Sequence, residues 1–156
     1  MPERYLIAGV GNTLRSDDGV GIKALGYLKE RLSLRNFDFL EFATKSIDIL
    51  NYIKEYAVTF IIDAVDFGAE VGKVKLFALE DINLPVDKNR VSSHSLSLKD
   101  LARLSKMLEI KSKVYIIGIQ PGNLSYGQEL SVEVLESFPD ILARIKENKD
   151  GLCCKG

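Results

Sequence analysis

The chain has no tryptophan, one histidine, two cysteines and four prolines in 156 residues, and each scarcity removes a class of reading. Cys153 and Cys154 stand side by side in "DGLCCKG". They are too few for a disulfide framework and lack a C-x-x-C spacing or nearby partner ligands, so they read as free thiols. No apolar run approaches the ~18 residues of a membrane helix; "TFII" is cut by Asp63 and "VYIIGI" stops at Gln120. "MPERYLIAGVGN" leads a short apolar stretch straight into a turn, unlike a secretory signal with its longer apolar region and cleavage site. The expectation is a cytoplasmic protein without membrane insertion. One-sided charge is missing too: 21 Lys and Arg face 22 Asp and Glu, for a net charge of -1. Without a basic cluster that could track a phosphate backbone, nucleic acid is not an expected partner.

What is present is the balance of a globular domain, 46% hydrophobic and 28% charged. The length suffices to bury a core without disulfides or a structural metal. Short apolar runs alternate with amphipathic stretches, the pattern of an α/β domain on a mostly parallel sheet. Strands are expected at "RYLIAGV", "FDFLEF", "VTFIID", "KVKLFAL" and "KVYIIGI". The first, third and fifth are near-continuous apolar runs, suited to central positions buried on both faces. "KVKLFAL" follows "DFGAEVG" too closely for a helical crossover and should be antiparallel or at an edge.

Ile22, Leu25, Leu28 and Leu32 mark a first helix in "GVGIKALGYLKERL", and "SIDILNYIKEY" a second. A third should start at the "SLKD" capping box near Ser97 and continue through Leu101, Leu104 and Leu108. Leu135, Phe138, Leu142 and Ile145 keep one helical phase across Pro139, which predicts a kinked helix or two collinear pieces. No repeat or linker divides the chain, so residues 1–156 read as one domain with a frayed tail from about 150.

In an open α/β sheet, ligands bind beyond the carboxyl ends of the strands. "GNTLRSDDG", "DAVDFG" and "GIQPGN" follow the first, third and fifth strands and should share that edge. A dinucleotide fingerprint fails because Leu14 stands where its third glycine belongs, and no phosphate-binding G-x-x-x-x-G-K-[ST] run exists. Gly9 and Gly11 then read as turning the chain off the strand. Asp17 and Asp18 are adjacent acids at a helix start, where one is explained by the helix dipole and the other must face elsewhere. Asp63 and Asp66 read as turn caps unless Asp18, Asp63 and the lone His94 meet at one mouth. Two carboxylates and an imidazole would suit a divalent transition metal with positions left for water or substrate. Ser92, Ser93 and Ser95 flank His94 without a G-x-S-x-G elbow, so neither they nor the tail cysteines make a credible nucleophile.

Taken in order, "GVGNTLRSDDGVG", "IIDAVDFG", "SSHSLSL" and "GIQP" resemble the hydrogenase maturation proteases, over nearly the whole chain. These endopeptidases trim the C-terminus of the large subunit of nickel–iron hydrogenases. The resemblance implies a three-layer α/β sandwich, a twisted mostly parallel sheet of about five strands between helices. It implies that Asp18, Asp63 and His94 form a nickel-recognising catalytic site, with Asp17 and Asp66 supporting and Asp17 at the helix start. It implies a hydrogenase large-subunit precursor as partner, and nickel carried by that substrate and not held at rest. The tail "LCCKG" has no counterpart in the family pattern. Two other readings stay open: a metal-dependent hydrolase of small molecules, and a non-catalytic maturation chaperone. The loops around "NLPVDKNRVSS" and "GIQPGNLSYG" are polar and long enough to move around a substrate.

Overall fold

A computed structural model describes residues 3–33, 35–43, 48–82 and 98–153, the last four by backbone alone. Five strands form one sheet: β1 (Tyr5–Val10), β2 (Phe37–Phe42), β3 (Val58–Ala64), β4 (Val74–Ala78) and β5 (Lys113–Ile119), in the order β2-β1-β3-β5-β4. Neighbours run parallel except β4, which pairs antiparallel with β5 at the edge. The three near-continuous apolar runs are the central strands. Every residue of β1 and β3 is buried, because helices cover both faces and neither face can be polar.

Strand alternation divides the core. Tyr5, Ile7, Phe60, Ile62, Ile117 and Ile119 face α1 (Val20–Lys29), α4 (Val132–Leu135) and α5 (Phe138–Cys153). Leu6, Ala8, Ile61 and Ile116 face α2 (Ile49–Ile53) and α3 (Leu98–Met107). The result is the expected three-layer sandwich. In α1 the buried stripe is Ala24, Leu25 and Leu28, with Ile22 only half-buried. In α3, Leu101 is buried while Leu108 lies past the helix end and is 60% exposed.

The Pro139 segment resolves into two helices. Pro139 lacks an N–H and would collide with the carbonyl four residues back, that of Leu135, so α4 ends there and Pro139 sits in the tolerant first turn of α5. The buried ridge is Val134, Phe138, Ile141 and Ile145, whereas Leu135, expected inside, is 51% exposed. The α5 backbone runs to Cys153. The "SLKD" capping box begins at Ser97, outside the described residues, as does Cys154.

Candidate active site

The site sits where three connections leave the carboxyl edge of β1, β3 and β5. After β1, Gly11 (φ +148) turns the chain back, and a Cβ there would strike the Asp18 carbonyl oxygen. Gly9 is not part of that turn, contrary to the sequence reading. It lies inside β1, where a Cβ would run into the carbonyl oxygen of Gly21 on α1. Gly21 in turn approaches the Ile62 carbonyl so closely that a Cβ would overlap it. Bare backbone on both sides lets the start of α1 lie directly against the ends of β1 and β3.

Ser16–Gly19 form one 3-10 turn that carries both acids, and α1 follows without a break. Ser16 precedes them in the left-handed region at φ 53, uncommon for a residue with a side chain. Its N–H donates to Gly127 O at 2.8 Å and its hydroxyl to Ser125 O at 2.9 Å, contacts that hold it in that conformation. No signal in the sequence marked Ser16, because its role depends on a loop 109 residues away.

Asp17 does not take the helix-start role expected of it. No side chain caps α1, whose N-cap is Gly19. The Asp17 carboxylate is wholly buried and accepts from Gly122 N at 2.8 Å, Asn123 N at 2.9 Å, Ser131 N at 2.7 Å and Ser131 Oγ at 2.7 Å. Burial alone would push this carboxyl up. The Ser131 hydroxyl and the backbone donors of Asn123, Ser131 and Gly122 outweigh it and hold the group below its ordinary value. The "GIQPGNLSYG" loop, expected to be long enough to move, is thereby tied to the first loop through Gly122 and Asn123.

Gln120 makes the corresponding tie to the third connection. Its Oε1 accepts from Phe67 N at 2.9 Å and Ala69 N at 3.2 Å, and its Nε2 donates to Asp66 Oδ1 at 3.0 Å. Asp66 also accepts from Gly68 N at 3.1 Å, so it shapes the turn after β3. The motif "GIQP" carries no sequence signal that singles out its glutamine.

Within this frame stand Asp18, fully buried on the 3-10 turn, and Asp63, 8% exposed near the end of β3. β1 and β3 are adjacent and parallel, so both acids lie at one edge of the sheet. Asp63 is two residues past Ile61 and therefore shares its face, the one covered by α2 and α3. Ionised carboxylates at such depth require hydrogen-bond donors or a cation. His94 and the 83–93 loop lie outside the described residues. Among the described residues no three His, Cys, Asp or Glu side chains group closely enough to hold a metal ion, and no helix is long and apolar enough to cross a membrane.

Comparison with known proteins agrees with the architecture. Residues 22–148 match the profile described as hydrogenase maturation protease. The hydrogenase expression/formation protein HupD of Rhodobacter capsulatus is 29% identical over 132 residues, 83% of this chain and 63% of the relative. This chain thus spans a little under two thirds of that relative's length. The hydrogenase 2 maturation protease of Escherichia coli K12 is 26% identical over 93% of this chain and 92% of its own. The crystal structure of a [NiFe] hydrogenase maturation protease HycI from Thermococcus kodakarensis superposes with a TM-score of 0.74 at 26% identity, covering 93% of this chain and 91% of that one.

Proposed function

The chain belongs to the hydrogenase maturation protease family, and from that premise we propose that it removes the C-terminal extension of a nickel–iron hydrogenase large-subunit precursor after nickel insertion. The precursor is its partner and the nickel is cargo of that substrate. The reaction belongs to the cytoplasm and involves neither nucleic acid nor a membrane. The observation that carries the reading is the pair of buried carboxylates, Asp18 and Asp63, at one edge of adjacent parallel strands. With His94 they supply two oxygens and one nitrogen, a donor set suited to a divalent transition ion, and three ligands leave positions open for a water or the scissile carbonyl.

Two routes to peptide hydrolysis use these groups. The substrate's nickel polarises the scissile carbonyl and lowers the pKa of a bound water. Alternatively, a carboxylate withdraws a proton from that water as it attacks. In both, recognition of nickel by Asp18, Asp63 and His94 makes metal insertion a condition for cutting.

The test is cleavage of a purified precursor, with and without nickel, followed by the mass of the released peptide. Asp18→Asn, Asp63→Asn and His94→Ala should each lower the rate by about 10²-fold or more while leaving the far-ultraviolet circular dichroism unchanged. Efficient cutting of the nickel-free precursor overturns nickel recognition as a condition for cutting, and the metal-dependent route with it. Undiminished processing by all the variants overturns the assignment of these three residues, and absence of cleavage by the wild type favours a chaperone. A stoichiometric metal retained by the isolated protein would favour a small-molecule hydrolase.

A further inference from the structure

We infer that Asp17 is a positioning residue: by gripping the loop after β5, its carboxylate sets the rotation of the 3-10 turn and so places Asp18 relative to Asp63. The inference deepens the proposed proteolysis and rests on it. In a 3-10 turn consecutive side chains are about 120° apart around the axis. Fixing the direction of Asp17 therefore fixes that of Asp18. Asp17 is held by four donors on Gly122, Asn123 and Ser131, and its own N–H donates to Asn123 O at 2.9 Å. The Asp18 backbone is bound on both sides, its N–H to Arg15 O at 3.1 Å and its carbonyl to Asn12 N at 3.3 Å. Without the carboxylate, the backbone bonds of Ser16, Asp17 and Asp18 still hold the main chain of the turn, but the four bonds that fix the direction of the Asp17 side chain are lost.

Ser131 shows how completely the loop is committed to this contact. It occupies the N-cap of α4 yet makes no side-chain cap, its hydroxyl being directed to Asp17, to which it donates. Three of the four donors are main-chain N–H groups that no side-chain truncation in the loop removes. The informative changes are therefore Asp17→Asn, which puts an amide N–H2 against donors, and Ser131→Ala, which keeps the charge and deletes one bond.

Steady-state cleavage of the nickel-loaded precursor, below every variant's unfolding temperature, tests the inference. Ile145→Val in α5 serves as a control that loses stability far from the turn. Displacing a reacting group by about 1 Å costs up to about 10²-fold. The expected kcat losses are about 10²-fold for Asp17→Asn and about 3- to 10-fold for Ser131→Ala, with KM nearly constant and the control at the wild-type kcat. Amide exchange should accelerate at Asn12 and Asp18 in Asp17→Asn but not in the control. Wild-type kcat in both turn variants, with only their melting temperatures lowered, would make the contact purely structural and overturn the inference. Absence of cleavage by the wild type would instead sink the proteolytic reading on which it rests.

Discussion

The carboxamide of Gln120, 6% exposed, satisfies two backbone N–H groups of the turn after β3 and donates to the carboxylate that shapes the same turn. Removing it leaves the Phe67 and Ala69 N–H groups half-buried without their acceptor. Gln120→Ala should cost about 1–3 kcal/mol, a fall in melting temperature of about 3–10 °C in a domain of this size, read by calorimetry. Gln120→Glu keeps an acceptor but faces Asp66 with a like charge, and should recover only part of the loss at neutral pH. At this scale the sequence was partly legible. An acid pair between glycines advertised the first loop, but which acid reaches across the molecule depended on donors more than a hundred residues away. Ser16 and Gln120 carried no local signal for the same reason.

Among the elements, α1 decides how the first loop meets the sheet. Its two inner glycines predict opposite outcomes. A Cβ on Gly21 would overlap the Ile62 carbonyl, whereas one on Gly26 meets nothing within 4 Å. Gly21→Ala must push the helix start off β3, costing about 1–3 kcal/mol and displacing the turn that carries Asp18. Gly26→Ala should stabilise by about 0.5–1 kcal/mol through helix propensity without altering activity. Urea unfolding of both variants checks the sign of each. Periodicity alone placed five strands and the helices between them, because buried parallel strands and amphipathic helices leave unambiguous apolar patterns. It misplaced Leu135 because the buried ridge crosses Pro139 through Val134, Phe138, Ile141 and Ile145, which leaves Leu135 on the flank of that stripe.

Over the whole molecule, lowered carboxylates at distant points give the protein an acid limit. Asp17 is held below its ordinary value by donors that outweigh its burial. Near the amino end of β1, hydrogen bonds from the Arg4 guanidinium and the Tyr56 hydroxyl lower Asp38. Folded values below the unfolded one mean a contribution that is present above about pH 4 and lost as pH falls through the lowered values. Urea midpoints should therefore be level from neutrality to about pH 4 and drop below it. Ser131→Ala and Asp38→Asn should each make that drop shallower. In alkali the sign reverses for Tyr56. Burial and the bond to Asp38 push its hydroxyl up to about 12, so its contribution is full below about pH 10 and disappears as pH rises through about 12.

The sequence by itself determined the layered α/β architecture, the central strands, a fourth strand antiparallel or at an edge, and the edge of the sheet where the acids gather. Those features follow from short-range periodicity and from topology rules that act on every chain of this pattern. Only the tertiary structure decided that Asp17 binds the far loop while Asp18 stays at the edge with Asp63, that Gly9 serves helix contact and not a turn, and that Gln120 joins two connections. A hydrogen bond between distant segments exists only once the sheet has brought their ends together, so it leaves no trace in the spacing of residues along the chain.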